Sequence, residues 1–168
     1  NSCAYVHASM FGIMALFCLG ESEKAWTQME KSMVITHDNC TMTTFAMPNS
    51  YCENPDYEID GGSMGDWYTG SGAVLVKEMI KFGFGIAPAL DGLTIQTPAK
   101  MPCNKAKIEI IVKGHPLTLS YKNERTGSRN FKINGTEMKG TFDPLMQTEK
   151  LFIPTEQLTD HMCIEVID

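Results

Sequence analysis

Positive charge is what this sequence has least of. Its 168 residues carry 14 Lys and Arg against 20 Asp and Glu, a net charge of −6, and the pI is about 5.2. No basic block interrupts that balance. Nucleic acid and anionic membrane surfaces, which call for a positive face, are excluded as expected partners. An anion bound here must be held by local geometry rather than by overall field. Paired cysteines are missing too. Cys3, Cys18, Cys40, Cys52, Cys103 and Cys163 are scattered without a Cys-x-x-Cys spacing, which argues against a metal clamp and against a small disulfide scaffold. They read as reduced, buried, small apolar side chains, in keeping with a cytoplasmic protein.

Long apolar runs are also lacking. The longest, residues 4–19, is broken by His7 and Ser9 and falls short of the ~18–20 residues of a membrane span. No secretory leader is read at the start, and the opening Asn1, already in helical pattern, is expected to sit in the middle of something longer. Several chemistries fail on spacing. Lys77 does not follow a glycine as a Walker lysine must. Ser71, in Thr69-Gly70-Ser71-Gly72-Ala73, is not the serine of a nucleophile elbow. Asp56, Glu58, Asp60 and Gly61 begin like a calcium loop, but its twelfth position, which should be a bidentate Glu, is Trp67. No metal ligand set is expected.

What is present is ordinary globular material, 43% hydrophobic and 20% charged, enough for one domain or two small units. Helical signals come first. Residues 4–19 are apolar nearly all round, so a helix there is expected to be buried on every side. Gly20 closes it, and Ser22 caps a second helix over residues 23–35 with Trp26, Met29 and Met33 on one stripe. The pair forms an antiparallel hairpin of the kind that builds α/α barrels and solenoids. His37 follows at the helix end, facing its negative dipole end. Residues 36–66 are irregular and rich in Pro, Gly, Asn and Thr. Tyr51, Tyr57, Trp67 and Tyr68 either stack on sugars or pin this loop down. A third helix over residues 71–82, ended by Gly83 and Gly85, reads as another buried barrel helix.

Beyond Leu90 the period changes to two. Strands are expected at residues 93–96, 107–112, 117–121, 131–134, 151–153 and 162–167, as an antiparallel sandwich. A polar turn spans residues 125–128, and Asn134-Gly135-Thr136 is a turn rather than a glycosylation site. His115, in a turn, and His161, before a strand, are expected to be exposed and idle. The class is α+β, divided near Asp91 into residues 1–90 and 91–168.

Two features carry chemistry. Thr69-Gly70-Ser71-Gly72 opens an apolar helix, where backbone N–H groups lack carbonyl partners and the peptide dipoles sum to partial positive charge. Glycines let an oxyanion approach and hydroxyls add donors, so the turn reads as a phosphate cradle or as an ordinary capped helix start. His7 reads as a core histidine bonded to a carbonyl or as a donor reaching into a cavity.

Asn1-x-x-x-Tyr5-x-His7-Ala8-Ser9, Leu19-Gly20, Pro48-Asn49-Ser50-Tyr51, Trp67-Tyr68-Thr69-Gly70-Ser71-Gly72-Ala73, Phe84-Gly85-Ile86 and Asp91-Gly92-Leu93 together resemble the C-terminal part of the glycoside hydrolase family 94 phosphorylases. These act on cellobiose, cellodextrin and chitobiose. The resemblance covers about residues 1–121. It implies the last helices of an (α/α)6 barrel followed by a β-sandwich. It further implies inverting phosphorolysis of a β-linked oligosaccharide to an α-sugar 1-phosphate, with inorganic phosphate as co-substrate and no other cofactor. Carried over, His7, Thr69, Gly70 and the adjoining Ser71 hold phosphate, while Tyr5, Tyr51, Trp67 and Tyr68 are candidate sugar contacts. The family's catalytic aspartate and phosphate arginine lie before Asn1, so no residue here is assigned as catalytic. The missing barrel portion, or self-association, is expected to cover apolar surface. The alternatives are a non-catalytic carbohydrate-binding or assembly module and a truncated fragment without activity.

Overall fold

A computed structural model describes residues 3–33, 46–67, 69–124 and 127–168. His37, Cys40 and Tyr68 lie outside the described residues. The fold is α+β. It divides into two compact units, Asn1–Met79 and Ile80–Asp168. The junction falls before the expected Leu90–Asp91 because strand β4 (Ile86–Pro88) pairs with β5 (Gly92–Ile95).

In the first unit, β1 (Cys3–Tyr5) runs straight into α1 (Val6–Cys18), and the Val6 N–H donates to Asn49 O at 2.9 Å. The expectation that this helix is buried on every side is overturned. Val6, Met10, Ile13 and Phe17 form one buried stripe, while Phe11 is 53% exposed. An all-apolar sequence has no polar face to mark which side meets solvent, so packing alone decides. α1 ends in a Schellman motif: Gly20 N–H donates to Phe17 O at 3.1 Å and Glu21 N–H to Leu16 O at 2.9 Å. Gly20 has φ 74°, the left-handed value the motif needs. Helix α2 (Ser22–Ser32) follows. Its N-cap is Glu21, with no side-chain cap, so Ser22 is the first helical residue rather than the cap. Trp26 meets Phe17 edge to face at 5.2 Å.

The stretch read as irregular contains order. β2 (Ser50–Cys52) lies between β1 and β3 (Ser63–Met64) in a small antiparallel sheet. It was hidden because strands this short give no readable alternation. Helix α3 (Ser71–Glu78) passes into a π-turn over Met79–Gly83. It is not the buried helix expected from its apolar run, for Val76 is 58% exposed and the buried positions include Ser71 and Glu78.

The second unit is two sheets sharing one core. One sheet has the order β10-β11-β5-β4 and the other β6-β7-β12-β8-β9. The additional strands are β6 (Lys105–Val112), β7 (His115–Lys122), β8 (Asn130–Ile133), β9 (Thr136–Met138), β10 (Thr141–Asp143), β11 (Thr148–Pro154) and β12 (Met162–Ile167). Alternation sends Leu117, Leu119 and Tyr121 of β7 and Met162, Ile164 and Val166 of β12 inward, against Leu93, Ile95, Leu151 and Ile153. Each such burial is worth roughly 1.5–3 kcal/mol. Two hairpins close on left-handed pairs, Lys113-Gly114 and Asn134-Gly135, which match the twist of the strands they join. One expectation is corrected: β12 pairs with β7 in parallel, so the sandwich is not wholly antiparallel. Gly85 (φ 72°) is obligatory, since a Cβ there would lie 2.2 Å from the Gln96 carbonyl carbon. At the β10–β11 turn, Asp143 Oδ1 accepts from the Leu145 and Met146 N–H groups.

Arg129, next to β8, makes an ion pair that alternation did not reveal; residues 125 and 126 of the expected polar turn lie outside the described residues. Arg129, its side chain 4% exposed, donates Nε to Asp168 Oδ1 at 2.6 Å and Nη2 to Asp168 Oδ2 at 2.7 Å. Nη1 reaches Thr97 O and Thr148 Oγ1, and Nη2 reaches Pro98 O. Tyr121 OH donates to Asp168 Oδ2 at 3.0 Å, and burial, reinforced by that carboxylate, pushes the phenol up to about 12.

Candidate functional site

The site candidates gather where α1 begins and α3 begins. His7 is the second residue of α1, and the helix start aims its half-buried ring back past Tyr5. Phe11, one turn on, stacks on that ring at 5.5 Å and 20°, and Tyr5 lies 6.1 Å away on a tilted plane. The imidazole thus has an aromatic neighbour at the helical spacing of four, a signal present in the sequence but not read there.

Across from the ring is the glycine of the turn. A Cβ placed on Gly70 would lie 3.6 Å from His7 Cε1 and 4.0 Å from Nδ1. Those are ordinary contact distances, so the imidazole edge faces the Gly70 backbone at the N-cap of α3 across a space the size of a methyl group. Residues far apart in the chain are brought together here. The helix ladder starts with Val74 N–H donating to Gly70 O at 3.1 Å. The Gly72 and Ala73 N–H groups stand in the first turn of α3, where a helix start lacks intrahelical acceptors.

The two hydroxyls serve each other. Thr69 Oγ1 accepts the Ser71 N–H at 3.1 Å and lies 2.7 Å from Ser71 Oγ. Ser71 is fully buried, at 0%, so its hydroxyl holds the turn and does not face a ligand. The N-cap of α3 is Gly70, with no side-chain cap, so neither Thr69 nor Ser71 is the cap of an ordinary helix start, and Thr69 and Gly70 stay partly or fully exposed beside His7. Asp66, in the approach to the turn, is buried and accepts from Ser63 Oγ at 2.8 Å. It shapes the loop.

The proposed sugar contacts do not form one surface. Tyr5 and Trp67 are 48% and 65% exposed. Tyr51 pairs with Ala4, whereas Tyr5 pairs with Ser50, so the period of two puts the tyrosines on opposite faces of the small sheet. Tyr68 lies outside the described residues. His161 is exposed, but His115 is not idle: Nδ1 lies 2.9 Å from Asp160 Oδ1. The thiols also differ from expectation, because Cys3, Cys103 and Cys163 are exposed and only Cys52 is buried among the described cysteines. Among the described residues no three metal-binding side chains cluster, and no helix is long and apolar enough to cross a membrane.

One group on α3 was not singled out by sequence. Glu78, seven residues after Ser71 and so on the same helical stripe, is 2% exposed, and neither carboxylate oxygen has a hydrogen-bond partner among the described residues. Burial pushes it up to about 7, with Lys77 pulling the other way. A carboxyl whose folded value exceeds its unfolded 4.5 favours folding most when protonated. That advantage fades as pH rises from about 4.5 to 7 and stays absent above. Glu78→Gln, which keeps the shape and removes the charge, is expected to stabilise the chain at pH 8 by about 1–3 kcal/mol and to change little at pH 4.5. Urea denaturation at the two pH values measures the difference; equal effects at both would remove the buried charge as its cause.

No protein-family model matches this chain, and no curated protein matches it.

Proposed function

We propose that this chain forms the phosphate-holding and C-terminal portion of an inverting β-glycoside phosphorylase. The observation that supports the reading most is the approach of the His7 imidazole to Gly70 at the start of α3. A protonatable ring beside helix-start amides supplies the donors an oxyanion needs in a chain of net charge −6. In this reading α1, α2 and α3 are the last helices of an (α/α)6 barrel, and the exposed stripe of α1 is covered by the remaining barrel or by a second copy. Thr69 adds a hydroxyl, and Ser71 only positions it. A phosphate oxygen attacks the anomeric carbon opposite the leaving oxygen. The C–O bond to the sugar acceptor breaks as the new C–O bond to phosphate forms, and a carboxylic acid outside this chain protonates the departing oxygen. The setting is cytoplasmic, where phosphate is plentiful.

The test is turnover of cellobiose, cellodextrins and chitobiose by the full-length gene product, with and without inorganic phosphate. Phosphate-dependent release of an α-sugar 1-phosphate supports the reading. Equal turnover without phosphate, or none of either kind, counts against it.

A second reading, a non-catalytic carbohydrate-binding module, draws on the second unit. Two adjoining depressions of about 370 and 500 Å³ share Arg129 and Glu149. Phe142, 57% exposed, sits directly across the β10–β11 ladder from Glu149. An aromatic wall beside a carboxylate suits a sugar ring and its hydroxyls. Oligosaccharide binding lost in Phe142→Ala but kept in His7→Ala would favour this module over the phosphorylase.

A further inference from the structure

The small sheet of the first unit places two free thiols face to face. β1 and β2 are antiparallel, with Cys3 directly opposite Cys52. The kind of pair they make follows from where the Cys52 backbone bonds go. Its N–H donates to Gly62 O at 2.9 Å, and its C=O accepts the Gly61 N–H at 2.8 Å. In an antiparallel ladder one residue sends both groups to the same side, so toward β1 the Cys3–Cys52 pair is not hydrogen-bonded. The alternation agrees. Val6 N–H bonds to Asn49 O, three rungs along, which makes that position hydrogen-bonded and Cys3–Cys52 the other kind. Non-hydrogen-bonded pairs are the narrow ones, with Cα atoms about 4.5 Å apart and side chains on one face.

That spacing lies at the short end of the window of about 4.4–6.8 Å in which two cysteines can be joined. We propose that Cys3 and Cys52 form a reversible cross-strand disulfide. Bridges at the edge of the allowed geometry are strained, and strained bridges are the easily reduced ones. The two thiols differ in access: Cys3 is exposed and Cys52 is 2% exposed. Cys3 therefore meets the oxidant first, and Cys52 resolves. With glutathione disulfide as oxidant, the Cys3 thiolate attacks one sulfur and releases one glutathione thiolate, leaving a mixed disulfide on Cys3. The Cys52 thiolate then attacks the Cys3 sulfur and expels the second glutathione. Two protons leave the protein thiols, and glutathione disulfide takes up the two electrons.

The bridge would tie β1 to β2 four residues before His7, on the strand that delivers that side chain to Gly70. It does not depend on phosphate being the ligand there.

The experiment incubates the intact chain with glutathione disulfide, counts thiols, and maps peptides without reduction. The expected result is one cross-link joining Cys3 to Cys52, with no glutathione left on either, and full recovery with dithiothreitol; glutathione on the exposed Cys103 and Cys163 is mapped separately. Cys52→Ser, and Cys52→Ala should serine destabilise the sheet, is expected to stop at a Cys3–glutathione mixed disulfide. Cys3→Ser should leave Cys52 as a free thiol. The proposal is overturned if the unaltered chain itself stops at the Cys3 mixed disulfide, if Cys52 pairs elsewhere, or if both thiols survive.

Discussion

Replacing Arg129 by Met is expected to remove about 3–5 kcal/mol of folding free energy, the cost of breaking a buried ion pair from one side. Arg129 is a dense polar junction of the second unit. Its five N–H donors meet five acceptors: both Asp168 oxygens, the Thr97 and Pro98 carbonyls and Thr148 Oγ1. Those acceptors come from the segment after β5, the start of β11 and the residue after β12, so one planar fork ties together stretches distant in sequence. Met fills the space but strips Asp168 of both guanidinium bonds, leaving it Tyr121 OH, leaves Thr97 O only the Thr148 hydroxyl, and takes the Arg129 donor from Pro98 O. Asp168, with its side chain 23% exposed, retains some water, so the loss should not exceed that range. Arg129→Lys is expected to cost nearly as much, because an ammonium carries its three donors at one point and cannot span both carboxylate oxygens and two carbonyls. Asp168→Asn should cost less than Arg129→Met, and the double variant less than the sum, since the partners are lost together. Urea midpoints of the four proteins decide it. A change within about 0.5 kcal/mol for Arg129→Met, the range of an ordinary surface substitution, would show that the fork contributes nothing net.

That junction also marks where sequence reading stops. Arg129 stands just past the expected turn at residues 125–128, and no local pattern distinguishes an arginine that folds inward from one in water. The strands around it were legible because alternation is local. Met162–Ile167 matches the expected strand from end to end, and the Asn134-Gly135 turn carries its own chemistry. The parallel pairing of β12 with β7 was not legible, since register and neighbour choice depend on residues far away in the chain. The same divide runs through the first unit. Gly20 announced its Schellman motif, whereas the direction in which α1 faces solvent had no local mark. At the candidate site, the amides at the start of α3 follow from the glycine-rich turn. The approach of His7 to Gly70 was expected only through resemblance to a family. The burial of Ser71 was not expected at all, because a hydroxyl that satisfies its neighbour looks, in sequence, like one that awaits a ligand.

His7→Ala should weaken the binding of inorganic phosphate by about 10–100-fold, the range for one charge-assisted hydrogen bond. Under the proposed function, phosphorolysis by the full-length gene product should fall further, by about 10²–10³-fold in turnover, if the donor tightens on charge that develops at the attacking oxygen. The imidazole is the one titratable side chain placed against the helix start by the described contacts. Losing it removes the ring donor and leaves the amides. Gly70→Ala separates anion binding from folding. The added methyl meets His7 at 3.6 Å, an ordinary contact, and the Gly70 φ of −85° suits alanine. The fold should therefore survive while the gap between ring and backbone is filled. Phosphate affinity should then drop in both variants, with the urea midpoint of Gly70→Ala close to that of the unaltered chain. Ser71→Ala should behave in the opposite way, losing stability through the bond between its hydroxyl and Thr69 Oγ1, with little direct effect on phosphate. Phosphorus-31 line widths and calorimetric titration with phosphate give the affinities. Should His7→Ala and Gly70→Ala bind phosphate as well as the unaltered chain, the junction of α1 and α3 is a packing contact. The anion site would then have to be sought elsewhere.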